Sequence, residues 1–244
     1  MAGRSVIGVI VLLSAALLLA GAVSARADPF YLRYDADEVY PEDAGWERNL
    51  YDPGGLAKRS LDAGWLTLDT RGSYAIWDMY YVHSTAFGLR SAEQLRVSWR
   101  MQTLETDFVG GWNTDVDVFI SNGDSEYVQL FLAPDYVAHT EYGMEEPDHY
   151  VALEPGVAHS FLFTSSDMQE FELHVDGTFA FSGVFLWNAL AGPNRVSFGD
   201  KAIGLRSLSQ WDYVEVAVVP EPATLVVSCM LGAPAVLLRR RTVS

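Results

Sequence analysis

The sequence predicts an all-β protein, an antiparallel jelly-roll β-sandwich set between an N-terminal signal peptide and a C-terminal hydrophobic helix. Three observations predict it. Apolar and polar residues alternate with period two through residues 28–219, the pattern of strands with one buried and one wet face. Asp176-Gly177 and Asn122-Gly123 interrupt the alternation with pairs that accept the positive φ angles of tight turns. Little in the same region supports a helix of ten residues or more. Roughly a dozen strands result, and a sheet of that size folds into two packed layers that hide its edges.

Taken in order, the elements begin with a signal peptide over residues 1–27. Arg4 is its minimal positive region, Val6 to Ala20 its apolar core, and Ala25 and Ala27 the small residues that a signal peptidase reads, so cleavage is expected before Asp28. Residues 28–61 are rich in Asp, Glu and Tyr and read as a peripheral strand plus a loop, at the edge of the same sandwich or as a separate arm. Strands follow over 64–69 and 73–82. In Leu95 to Met101, the residues Leu95, Val97, Trp99 and Met101 face the core while Arg96, Ser98 and Arg100 face water. Over 115–120, Val116, Val118 and Ile120 point inward and Asp115, Asp117 and Phe119 outward. Phe119 is thus a candidate exposed aromatic, or a cap on the second sheet. Later strands are expected over 126–132, 149–153, 159–164, 194–198 and 211–218, with a hairpin, Phe171 to Phe181, turning at Asp176-Gly177.

Pro220 and Pro222 remove two backbone donors and impose an extended break after the domain, open to a cleaving enzyme. The uncharged run Ala223 to Leu238 would span roughly 24 Å as a helix, enough to insert into a hydrocarbon core of about 30 Å and marginal for crossing it. Arg239, Arg240 and Arg241 would then hold the C-terminus at an anionic cytoplasmic face. Pro220-Glu221-Pro222, the hydrophobic run and the three arginines, in this order over residues 220–244, resemble the PEP-CTERM sorting signal of exported bacterial proteins. The resemblance implies processing by an exosortase-type membrane protease in a Gram-negative bacterium, often one that makes exopolysaccharide. It also implies membrane association during sorting and a final place at the cell surface or in the extracellular matrix.

The chain has 16 basic and 32 acidic residues, and setting the two terminal segments aside leaves 11 against 31, a net charge near −20. Such a surface repels nucleic acid and anionic lipid and favours cationic partners or divalent cations, so DNA or RNA binding is excluded. Cys229 is the chain's one cysteine and lies in the C-terminal hydrophobic run. The body therefore has no disulfide, thiol nucleophile, zinc-thiolate site or iron-sulfur cluster, and packing must stabilise it.

Phe171 to Gly177 as a late hairpin, Val196-Ser197-Phe198-Gly199-Asp200 as the next strand and Trp211 to Val216 as the closing strand resemble the concanavalin A-like lectin and glucanase superfamily, including laminin-G-like domains. The resemblance covers the last third of the body and implies glycan or protein binding, sometimes with a structural calcium ion. Asp124-Ser125-Glu126 and Glu145-Glu146-Pro147-Asp148 offer oxygen ligands but lack the spacing of a known calcium loop. Hydrolases of the superfamily set two glutamates around an aspartate at alternate positions of one strand, so that acid and nucleophile share a groove. Asp115-Val116-Asp117-Val118-Phe119 departs from that pattern, because the third alternate position is Phe119 and the strand has no glutamate. Its aspartates are expected to form a solvated strand face.

Other chemistries find less support. His83, His139, His149, His159 and His174 lack the spacing of a local metal pair and read as surface or strand-edge residues. No serine elbow and no glycine-rich phosphate loop occurs. Flat aromatic faces stack on sugar rings, and two tryptophans sit where such contact is plausible: Trp112 in the glycine-rich turn Gly110-Gly111-Trp112-Asn113, and Trp187 before Gly192-Pro193. The expectation is a non-enzymatic exported surface or matrix protein that binds glycan or exopolysaccharide. A structural or protein-binding surface module is the alternative, and a polysaccharide-cleaving enzyme a further one.

Overall fold

Two strands of fourteen residues, β6 (Glu93–Thr106) and β18 (Ser207–Pro220), form the spine of the first of two sheets. They belong to a computed structural model that describes residues 30–37, 39–52, 55–72, 77–84, 89, 93–109, 113–114, 116–139, 149–187, 194–201 and 206–220. The pair runs antiparallel from Ser207 opposite Thr106 to Pro220 opposite Glu93, with a bulge between Trp211 and Tyr213. As the alternation predicts, Leu95, Val97, Trp99 and Met101 are all buried. Around this pair the sheet takes the order β15 (Thr178–Val184), β14 (Glu170–Val175), β13 (His159–Ser165), β6, β18, β4 (Trp65–Asp69) and β3 (Lys58–Asp62). β1 (Tyr31–Asp35) continues along β18 where β4 ends.

The second sheet has the order β12 (His149–Ala152), β11 (Tyr136–His139), β10 (Glu126–Leu132), β9 (Val116–Ser121), β17 (Arg195–Asp200), β5 (Trp77–Ser84) and β2 (Glu47–Tyr51). β16 (Leu186–Trp187) pairs with β10, and a short ribbon joins β7 (Phe108–Val109) to β8 (Asn113–Thr114). The chain crosses repeatedly between the layers and every described pairing is antiparallel, which makes a jelly-roll-like sandwich. No helix among the described residues is long and apolar enough to cross a membrane.

Aromatic residues fill the space between the layers. Trp99 stacks on Phe161 and Phe163 on Phe171, each with ring centres 5.1 Å apart, and Phe198 of β17 touches Trp46, Tyr81 and Trp211. A fully buried side chain of this kind contributes ~1.5–3 kcal/mol. Both expected turns are present. Asp176 and Gly177 take φ of 51° and 76°, as a type I′ hairpin requires, and Asn122-Gly123 joins β9 to β10.

Residues 28–61 differ from the expected strand and loop. They supply β1 to the first sheet, β2 to the edge of the second, and β3, which pairs with β4 through a turn at Ala63 and Gly64 with φ of 50° and 79°. Alanine disguises that turn, because a side chain rarely takes positive φ. At the other end β18 continues through Pro220, whose missing N–H costs nothing at a strand terminus. The signal peptide with Ala25 and Ala27, Trp112, and the C-terminal segment from Glu221 through Pro222 to Arg239, Arg240 and Arg241 lie outside the described residues.

Candidate functional site

Val196 and Phe198 of β17 enter the core, so Arg195, Ser197 and Gly199 face away from it. On β9, Val116, Val118 and Ile120 likewise enter the core and leave Asp117 and Phe119 on the outer face. The register sets Ser197 opposite Phe119 and Gly199 opposite Asp117. On the other side of β9, Gln129 lies opposite Phe119, and Tyr80 of β5 lies opposite Gly199. Glycine is needed at 199, where φ is +127° and a Cβ would stand 2.8 Å from the Met79 carbonyl oxygen.

This outer face corrects the sequence expectation. Asp117 and Phe119 point outward as predicted, but they are 1% and 6% exposed rather than solvated. A second aromatic layer explains it: Phe119 stacks on Tyr127 at 5.2 Å, with Leu186 packed against both. The Arg195 guanidinium and the Lys201 ammonium lie over the Phe119 ring, 4.8 and 3.6 Å from its centre. Alternation reveals which face a residue is on, but not whether that face is covered.

The electrostatics of the face are unusual for so acidic a chain. Asp117 Oδ2 accepts a hydrogen bond from Gln129 Nε2 at 2.5 Å, while Asp117 Oδ1, Ser197 Oγ and Arg195 Nε are buried without a hydrogen-bond partner. Burial pushes the Asp117 carboxyl up, against the pull of Lys201 and Gln129. Burial pushes the Lys201 ammonium down, against the pull of Asp117. Lys201 leaves the sheet at a fixed point, because the preceding Asp200 is anchored. Thr70 Oγ1 and Ser207 Oγ both donate to Asp200 Oδ2, the latter at 2.6 Å, tying the end of β17 to β4 and β18.

Trp187, singled out from the sequence, is 71% exposed. Leu186 lies opposite Tyr127 and extends the Phe119–Tyr127 layer, while Trp187, opposite Glu126, turns to the other side of the strand at the edge of that layer. Tyr127 in turn faces Ser121, and Ser121 faces Arg195, so the cross-strand row that begins at Arg195 ends at Leu186, and Trp187 is its neighbour along the strand. Sequence reading missed Arg195 and Lys201, since isolated cations make no motif. The available signal was polar residues at 195, 197 and 201, two, four and six positions apart, in step with the apolar Val196 and Phe198.

The remaining candidates do not converge on a site. His139 is buried at 1% exposure rather than at the surface, and lies opposite His149 with near-parallel rings 6.5 Å apart. His159 pairs with Asp176 at 2.6 Å. Among the described residues no group of three metal-ligating side chains comes together. The loop of Asp124 and Glu126 is organised by Asn122, whose Oδ1 accepts the Asp124 N–H and whose Nδ2 donates to Glu126. Glu145 to Asp148 and Asp115 lie outside the described residues. Asp200 points toward Thr70 and Ser207 of the other layer, so the outer face of β9 and β17 presents Asp117 as its described carboxyl group.

The jelly-roll-like fold has counterparts among solved structures. The "Cellulose induced protein, Cip1" matches with a TM-score of 0.53 at 12% identity, over 76% of this chain and 96% of that one. A structure described as the conserved carbohydrate esterase of the Shiga toxin-encoding bacteriophage phi24B matches with a TM-score of 0.51 at 15% identity, over 77% and 97%. A sialidase is matched over 75% of this chain but only 18% of its own length, at 14% identity and a TM-score of 0.46. No protein-family model and no curated protein matches the sequence. At these identities the likeness is one of fold.

Proposed function

We propose that this protein is an exported, non-enzymatic β-sandwich that binds glycan on the outer face of its second sheet, at the cell surface or in the matrix of a Gram-negative bacterium. The observation that carries the reading is the juxtaposition on that face. Phe119 stacked on Tyr127 forms an aromatic layer whose buried polar neighbours, Ser197 and Arg195, hold donors without partners, and the 71% exposed Trp187 stands one residue beyond Leu186 at its edge. An exposed indole gives a sugar ring a stacking surface, and unpartnered donors give its hydroxyls fixed hydrogen bonds. Among the described side chains the carboxyls of this face, Asp117 of β9 and Glu47 of β2, stand three strands apart, farther than the acid and nucleophile of glycoside hydrolysis. The C-terminal Pro-Glu-Pro segment, its apolar run and its arginines supply the sorting signal for an exosortase-type protease, after signal peptidase has cut before Asp28.

Pull-down on purified exopolysaccharide and on a glycan array tests the reading, with Trp187→Ala as the control. Binding reduced about tenfold in a variant of unchanged stability is the expected result. A folded wild-type protein that retains no polysaccharide sinks the proposal. Intact mass of the exported protein tests the sorting, which predicts an N-terminus at Asp28 and loss of the C-terminal run.

A further inference from the structure

Resting on that glycan-binding reading, we propose that the row Arg195, Ser197 and Lys201 takes an anionic group, so that the ligand is an acidic polysaccharide bearing carboxylate or sulfate. The treatment of cations across the molecule leads to this. Arg33, Arg48, Arg59, Arg71, Arg100 and Arg206 each have a carboxylate oxygen within 3.5 Å. Lys58 and Arg96 are exposed and solvated. Arg195 and Lys201 follow neither pattern, being partly buried over the Phe119 ring with no ion-pair partner among the described residues. In a chain with twice as many acids as bases, carboxylates are abundant, yet among the described residues none lies within ion-pair distance of these two cations, and Asp117 acts on them only at longer range.

Their neighbours point the same way. Arg195 Nε and Ser197 Oγ sit two residues apart on one face of one strand, both buried and both lacking an acceptor. An unpartnered buried donor is costly, and a ligand oxygen is the partner such a donor lacks. A planar carboxylate or a sulfate accepts from a guanidinium fork and from an ammonium at once. Asp117 is the nearby charge that would oppose an anion; its Oδ2 is held by Gln129, and burial pushes its carboxyl up to about 6, so an anion binds more readily as pH falls toward that value. Non-specific attraction cannot mimic the effect, because a formal net charge of −16 repels polyanions from the molecule as a whole.

Two matched pairs of polymers test the assignment on the full chain by affinity electrophoresis: polygalacturonate against its methyl ester, and dextran sulfate against dextran. The expected result is retention by one anionic member, which identifies carboxylate or sulfate, and not by its neutral partner. Retention should weaken at least about tenfold in Lys201→Met and about threefold in Ser197→Ala. Ser197→Ala removes a hydroxyl that makes no hydrogen bond, so it reads the site even if Lys201→Met fails to fold. Equal retention by a neutral partner, or no change in either variant, overturns the anion assignment and leaves glycan binding standing. No retention by any of the four polymers, nor by exopolysaccharide, overturns both.

Discussion

The outer faces of the two sheets handle the same residue types in opposite ways. On the first sheet, Arg33 lies between Asp35 at 2.7 Å and Glu215 at 3.3 Å, and Arg100 meets Asp212 at 2.7 Å while its guanidinium covers Trp65. Gln102 and Gln210 hydrogen-bond each other at 2.6 Å. The polar groups there satisfy one another at the edge of water. On the second sheet Arg195 and Lys201 cover Phe119 with no carboxylate at ion-pair distance among the described residues, and Asp117 is 1% exposed with one oxygen unsatisfied. A polar face that satisfies itself needs no ligand, whereas one left buried and incomplete retains a cost that a bound partner would offset.

The largest expected effect breaks this comparison at its centre. Phe119→Ala removes the ring that lies beneath Arg195 and Lys201 and stacks on Tyr127, and should lower stability by about 3–5 kcal/mol, as truncation of a packed aromatic does. Urea denaturation reads it. Tyr31→Ala on the first sheet, where the ring is 59% exposed, should cost no more than about 1 kcal/mol. Equal costs at the two positions would mean that the outer layer of the second sheet is not a packed structure.

Asp117→Asn comes next and sharpens the electrostatic half of the contrast. The amide keeps an acceptor for Gln129 but carries no charge. Because burial raises the folded carboxyl above its unfolded value, the folded protein holds that proton longer, and stability falls as pH rises from the ordinary carboxylate range of about 3.9 through the raised value. The variant lacks that fall, so it should exceed the wild type by about 1–2 kcal/mol at pH 8 and lose the advantage near pH 4. Lys201 acts in the other direction. Its folded value is lowered, so stability rises with pH from that lowered value up to the ordinary ~10.4, a rise that begins at lower pH in the variant, which lacks the pull of Asp117. A variant less stable than the wild type at pH 8 would show that the charged Asp117–Lys201 attraction outweighs the cost of burying it.

Local chemistry made much of the fold legible. The alternation of Leu95 to Met101 gave the facing of the central strand, and Asp176-Gly177 and Asn122-Gly123 gave two hairpins, because both signals act over a few residues. β3 escaped because its turn uses Ala63, a residue that seldom takes positive φ. The site was half legible. Trp187 showed itself as an aromatic near a Gly-Pro break, but the burial of Asp117 and the pairing of His139 with His149 depend on strands brought together over long separations. Arg195 and Lys201 gain their meaning only when β17 is laid beside β9, which puts Phe119 under both. Nothing within either cation's own neighbourhood in the sequence encodes that ring.

The smallest expected effect lies on the first sheet. Arg33→Gln removes a cation whose side chain is 43% exposed, and solvent screening should hold the cost to about 0.5 kcal/mol, vanishing in high salt. Its value lies in the sign. The hydrogen bond from Arg33 holds the Asp35 carboxyl below the ordinary range, so the stabilisation is present above about pH 4 and is lost as pH falls through that lowered value. Asp35 and Asp117 should therefore titrate the stability of one domain in opposite senses. Acidification removes stability through the carboxyl that has its cation and restores it through the carboxyl buried without a close one. Chemical denaturation of wild type, Arg33→Gln and Asp117→Asn between pH 3 and pH 8 separates the two slopes. If both variants shift the profile in the same direction, the two faces do not differ in the way their geometry implies.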